Sequence, residues 1–247
     1  MSTTGKVIGK SILIAICLAL FIPAYFYFKN NQISKANRLK SEAKREYFAR
    51  EYLKAYHAYA QLLDSLQILS DAASINYANA AFMSSNILLN GFYGSSGQVK
   101  LPDSSLQALA DISQAEYIQL TSSKDAKIAS IAANQLGYSM IKGGNLFEDE
   151  STDSVLTSAL DHFKNALRKN PANDSARYNY ELIKKIVLFP ESILSQTKAL
   201  VAQQRYREAA SLLERSMKRD PRLRKQEELL NRIKTIIQID SVNTARI

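Results

Sequence analysis

One cysteine, two histidines, eight glycines and five prolines are all that this chain of 247 residues holds of the residue types that staple, ligate and bend. Cys17 has no partner, so no intrachain disulfide forms and the redox compartment cannot be read from it. Ile16 stands directly before Cys17, where a lipoprotein cleavage site wants a small residue, so Cys17 reads as a small packing residue within an apolar run. His57 and His162 have no Cys, Asp or Glu at ligand spacing, and no metal site is expected. No G-x-S-x-G, phosphate-cradling loop or dinucleotide fingerprint occurs, and Gly143-Gly144 reads as a turn. These absences leave catalysis no foothold: no enzyme, no cofactor and no catalytic residues are expected.

Scarce glycine and proline also argue against hairpins. Long Ala, Leu, Lys, Glu and Ser-rich stretches, with no sustained Val/Ile/Thr alternation between turn residues, predict an all-α chain without strands.

What is present begins with an apolar run. Residues 7–28, VIGKSILIAICLALFIPAYFYF, carry Lys10 as their only charge, and about 20 apolar residues cross a bilayer as a helix. They are expected to form a single transmembrane helix after a tail at 1–6, with Pro23 placed to kink the last turns and Tyr25 and Tyr27 suited to the headgroup boundary. A cleaved signal peptide is the competing reading; bulky aromatics where a small-x-small site belongs count against it. Lys6 and Lys10 before the run nearly balance Lys29, Lys35, Arg38 and Lys40 after it, so charge does not set the orientation. A short tail ahead of a signal-like span favours export of the following domain, with the cytoplasmic-facing arrangement as the alternative.

The segment ALDHFKNALRKNP organises the remainder. It sets Ala159, Phe163, Ala166 and Pro171 in an A-x3-F-x2-A-x4-P spacing, which puts the two alanines and the phenylalanine on one helical face and the proline at its close. Upstream, Leu136 and Gly137 followed by Met140 supply an L-G-x2-(large apolar) pattern in which glycine admits a neighbouring helix. The register returns at Ala209, Leu213, Ser216 and Pro221, and earlier, without the proline, at Ala55, Tyr59 and Leu62. It resembles the tetratricopeptide repeat family, whose period is about 34 residues. The resemblance implies an α-solenoid of antiparallel helix pairs, with repeats over 33–188 and interior loops near 90–104 and 142–153. Beyond Pro190, with Leu188 to Ser192 as a hinge, a further helix pair and a capping helix are expected over 191–239, then a frayed tail at 240–247. The helix starting near Ile33 is expected to continue from the apolar run. The acids of 148–153 read as a solvated turn that also supplies the next helix's N-terminus, in preference to a calcium loop.

In that family the first helix of each pair lines a concave groove that takes a peptide or extended segment. Carried over, the groove residues are Ile75, Asn79 and Phe82, then Asn134, Tyr138 and Ile141, then Tyr178, Leu182 and Lys185. The basic residues that hold a terminal carboxylate in the chaperone-tail version are missing from the first set. More narrowly, the single N-terminal span with Ala166 to Pro171 and Ala176 to Leu182 resembles the tetratricopeptide subunits of Bacteroidota aerotolerance (Bat) gene clusters. That likeness implies a bacterial inner-membrane assembly with von Willebrand A-type proteins.

Charge is uneven: between residues 60 and 160 there are ten acids against four bases, and from Lys198 onward twelve bases against six acids. Glutamates at helical salt-bridge spacing make the basic end a solvated face in preference to a nucleic-acid interface, with anionic lipid or an acidic partner as its other possible neighbours. The function expected is a membrane-anchored scaffold or adaptor that binds other proteins. Its alternatives are an accessory or targeting subunit of an envelope enzyme and a secreted adaptor whose N-terminus is removed.

Overall fold

The computed structural model describes residues 3–65, 70–89, 103–143 and 152–244, and of these the side chains of 3–20, 24, 65, 86–89, 143 and 242–244 are not described. Nine α-helices and no strand occur among the described residues. They are α1 (Thr3–Phe48), α2 (Tyr52–Ala60, continued by a π turn at Gln61–Ser65), α3 (Asp71–Leu89), α4 (Asp103–Leu120), α5 (Ala126–Gly143), α6 (Thr152–Lys169), α7 (Asp174–Ala202), α8 (Tyr206–Arg219) and α9 (Glu227–Thr244). A 3-10 turn at Pro221–Gln226 precedes α9, and the chain forms two compact units, 1–116 and 117–247. Most of both interior loops, including the acids at 148–150, falls outside the described residues.

In the first unit α1 runs unbroken from Thr3 through Pro23 to Phe48, so residues 29–48 prolong the helix that starts in the apolar run. Among the described residues no helix is long and apolar enough to cross a membrane. The expected span at 7–28 has its side chains described only from residue 21 onward, Ala24 excepted. Further along, Ala36, Leu39 and Ala43 recur at helical spacing and are buried with Ala55, Ala58, Tyr59 and Leu62 of α2 and Ala73 and Ala80 of α3. Alanine at these positions lets helix axes approach closely. At the margin the Tyr56 and Tyr77 rings stack with centroids 5.0 Å apart and their hydroxyls lie 3.3 Å from each other. Burial, then the bond to Tyr56, pushes the Tyr77 phenol well above its ordinary range; burial and then the charge of Asp64 raise Glu116.

In the second unit each helix from α5 to α9 packs on the next, and α5 also touches α7. Ala159, Phe163 and Ala166 are 0% exposed and Leu136 is buried. A Cβ added to Gly137 would sit 2.8 Å from Phe163 Cε1 and 2.9 Å from the Ala159 carbonyl oxygen. Gly137 is therefore the point at which α5 lies directly on α6. Ala209 and Leu213 of α8 are buried with Leu223, Leu230 and Ile233 in the same way. Pro171 lies just past the end of α6, and Pro221 starts the 3-10 turn.

The two helix pairs that carry the register without insertions close through one and the same turn. Arg50 after α1 and Gln204 after α7 both adopt left-handed φ, 63° and 61°. The next amide bonds back across the turn in both, Glu51 N to Glu46 O at 2.9 Å and Arg205 N to Leu200 O at 2.9 Å. Tyr52 and Tyr206 then begin the following helices.

Pro190 does not break the chain: α7 continues through it for 29 residues, so the hinge expected at Leu188–Ser192 is helical. Proline lacks the N–H that would bond the carbonyl four residues back, here Ile186. Arg222 takes that vacancy, donating from Nη2 to Ile186 O at 2.7 Å. Its guanidinium also pairs with Asp220 at 2.6 Å and with Asp153 at 2.8 Å, and the Arg222 and Asp220 side chains are only 7% and 5% exposed. Asp153, read as part of the acidic insertion, thus lies in the first turn of α6 and joins a tie between α6, α7 and the 3-10 turn. The tail beginning at 240 is helical as far as Thr244.

Three stability measurements follow from this packing. Gly137→Ala gains about 1 kcal/mol of helix propensity but overpacks the α5–α6 contact by about 2–3 kcal/mol; chemical denaturation should register a net loss, and a gain would mean that the helices stand further apart. Arg50→Gly or Gln204→Gly relieves left-handed strain and should raise stability by about 0.5–1 kcal/mol, whereas lowered stability would place these residues outside the left-handed region. Arg222→Ala should cost about 3 kcal/mol because Asp220 stays buried without its cation. In a double-mutant cycle, Pro190→Ala should stabilise the Arg222→Ala chain more than the parent, by about 1 kcal/mol, as it restores a donor to Ile186; strict additivity would show that the two are not linked.

Candidate functional site

The site is assembled from one face of α5 and the first turns of α7. Its foundation is Ser130, fully buried on α5, which donates from Oγ to the Ala166 carbonyl at the end of α6 at 2.8 Å and accepts from Asn173 Nδ2 at 2.9 Å. Asn173 caps α7, its Oδ1 accepting from the Ala176 amide at 3.1 Å. A single serine therefore ties the last turn of α6 to the cap of α7. One turn further along α5 and in the second turn of α7, Asn179 Nδ2 donates to Asn134 Oδ1 at 3.0 Å.

Above that amide pair lies an open cleft of about 520 Å³ lined by Asn134, Gln135, Tyr138, Asp174, Ser175, Tyr178 and Asn179. Tyr178 is 69% exposed and Tyr138 36%, with Ile131 and Leu182 also exposed along the same two helices. Such an arrangement offers aromatic and aliphatic surface beside amides and a hydroxyl, the combination that holds an extended backbone while burying alternate side chains. The Lys142 ammonium stands 5.8 Å from the centre of the Tyr138 ring, and Asp174 is engaged by Arg177 at 3.0 Å.

Of the expected groove residues, Asn134, Tyr138 and Tyr178 line this cleft, while Leu182 and Lys185 are exposed further along α7. Ile141 is half-buried against the core of Leu156, Ala159, Phe163 and Ile183 and does not line it. Ile75 and Phe82 are each 6% exposed in the first unit, so they are not open to a partner, and Asn79 is half-buried there. The reason lies in α3, whose buried positions Ala73, Ile75, Ala78, Ala80, Ala81 and Phe82 occupy more than one face of the helix. A helix buried on more than one face is packed on several sides, and here Ile75 and Phe82 fall on those sides while Asp71, Ala72 and Asn76 stay exposed.

Gln135, Asp174, Ser175 and Asn179 line the cleft without having been expected to. The signal for two of them, Asp174 and Ser175, was local. Asn173 is a capping residue, and a cap fixes which residues form the first exposed turn of its helix.

His57 is exposed, with its ring against Tyr56, and His162 is half-buried. Among the described residues no three His, Cys, Asp or Glu side chains converge as metal ligands would.

No family model matches this chain, and neither a curated protein nor a solved structure proves similar to it.

Proposed function

We propose that the protein is a non-enzymatic scaffold of tetratricopeptide-like helix pairs, held at a membrane by residues 7–28, which receives an extended segment of another protein in the cleft between α5 and α7. The observation that carries this reading is the strip of exposed aromatic and aliphatic side chains, Ile131, Tyr138, Tyr178 and Leu182, flanking the Asn134–Asn179 pair. Large apolar side chains gathered in a concavity beside polar groups are a common mark of a binding surface.

Packing supports the repeat part. Close approach at Gly137, the buried Ala159–Phe163–Ala166 face, the contact of α5 with α7 past α6, and the shared turn at Arg50 and Gln204 are what stacked helix pairs require. The membrane part is supported by the apolar composition of 7–28 and by exposure of Phe21, Ile22, Tyr25, Phe26, Tyr27 and Phe28 on α1. Six large apolar side chains within eight residues, all open to the surroundings, suit lipid far better than water.

A photo-crosslinking residue in place of Tyr178 tests the reading in the full chain in intact membranes. Discrete protein adducts should form there and not from the same residue at Arg215, exposed on α8. Leu182→Asp should abolish the adducts while changing stability by less than about 0.5 kcal/mol, as for surface positions generally. Equal adduct patterns at the two sites, or none at Tyr178, would contradict the assignment of the cleft.

A further inference from the structure

Every side chain among the first 41 residues that is charged at neutral pH is a cation: Lys6, Lys10, Lys29, Lys35, Arg38 and Lys40 precede the first carboxylate, Glu42. Helical geometry turns this composition into a spatial arrangement. Because α1 is one helix from Thr3 to Phe48, the four cations that follow the aromatic stretch are carried on a rod, within about 18 Å of Phe28 at 1.5 Å per residue. At 100° per residue Lys29 and Lys40 fall within about 20° of each other, and Lys35 and Arg38 lie on roughly the opposite side, a two-sided ring and not a single stripe. All four are exposed, and the Lys29 ammonium lies 5.9 Å from the centre of the Tyr25 ring.

We infer that this ring of cations binds the phosphate headgroups of anionic lipids. The inference rests on the membrane placement proposed above and adds the chemistry of the surface that α1 meets. Charge complementarity favours lipid over an acidic protein. A protein partner approaches a helix from one side, whereas a bilayer surrounds a helix emerging from it, and here the cations stand on two opposite sides of the helix directly beyond Phe21 to Phe28. Distance orders their contributions. Lys29 lies at the level of the aromatic boundary and Lys35 about 10 Å out, comparable to the screening length at 0.1 M salt, with Arg38 and Lys40 further still. Each cation close to an anionic surface strengthens attraction about fivefold, so Lys29 and Lys35 should dominate.

Between the two sets of cations, Ala36, Leu39 and Ala43 form the buried face on which α2 packs. The first helix pair therefore begins within about 12 Å of Phe28, with no flexible connector between. Anionic lipid bound by the ring would thus lie beside the first unit and steady it at the surface.

The test uses the full chain and a K29Q/K35Q/R38Q/K40Q variant, reconstituted into vesicles of mixed phosphatidylcholine and phosphatidylglycerol and then excised in polymer-bounded discs. The lipid around the parent chain should be enriched in phosphatidylglycerol about twofold or more over the bulk. Enrichment should fall to the bulk ratio in the variant, and in the parent at high salt. A chain that stays in the bilayer with no enrichment, or with equal enrichment in both forms, overturns the inference and leaves an acidic protein surface as the counterpart of the ring. Alkaline extraction separates this from the anchoring itself. If the chain is released from vesicles, anchoring fails; the lipid inference then stands only if the parent floats with vesicles containing phosphatidylglycerol and the variant does not, and falls if neither floats.

Discussion

The second unit depends on two helices touching at a position where neither has a side chain to spare. Gly137 has no Cβ, and the space a methyl would need is filled by the Phe163 ring and the Ala159 carbonyl. Contact at that distance fixes α6 on α5, and the fully buried face of Leu156, Ala159, Phe163 and Ala166 then has one way to lie. With α6 in place, its last carbonyls come within reach of Ser130, and Ser130 holds the cap of α7. The cleft is the end of this sequence of constraints: the amide pair and the two tyrosines face each other because a glycine directly before Tyr138 lets α5 and α6 meet.

Arg222 solves a different problem in the same unit. A proline inside a helix leaves a carbonyl without its donor, and a carboxylate beneath the surface needs a cation. One guanidinium answers both needs, reaching the Ile186 carbonyl and the buried Asp220 at once while holding Asp153 at the start of α6. The bond to Asp220, foremost, raises the arginine's already high pKa further, so the guanidinium keeps its charge through ordinary changes of pH.

The fold class and much of its packing could be read from residue spacing, because an alanine and aromatic register is a direct record of which helix face is buried. Ala55, Tyr59, Ala159, Phe163, Ala166, Ala209 and Leu213 are all buried at the positions their spacing implies. Continuation of α1 past the apolar run was legible too, since nothing between Asn30 and Lys35 interrupts a helix. The passage through Pro190 was not, because the group that rescues it lies 32 residues further on, in a segment whose arginines resemble any solvated basic face. Three of the seven cleft residues, Asn134, Tyr138 and Tyr178, were among the groove residues expected from the sequence. Tyr138 and Tyr178 stand out as large side chains on faces opposite the buried register, whereas Asn179 and Ser175 become cleft residues only through the way α7 is rotated by its cap. Ile75 and Phe82 misled for the converse reason: a pattern borrowed from amphipathic repeats was laid on α3, whose buried positions cover more than one face and leave Asp71, Ala72 and Asn76 as the exposed ones.

A scaffold reading asks little of individual functional groups and much of geometry. It needs helices locked in register, a concavity with mixed apolar and amide character, and a rigid link to whatever holds the chain in place. The second unit supplies the first two, and α1 is the candidate for the third. The contact on which the locked register rests can be observed directly by nuclear Overhauser spectroscopy on the full chain, isotope-labelled at glycine and phenylalanine. A strong cross-peak between the Gly137 α-protons and the Phe163 ring is the result predicted here; its absence, in a folded and helical chain, would contradict the packing of α5 on α6 and with it the cleft.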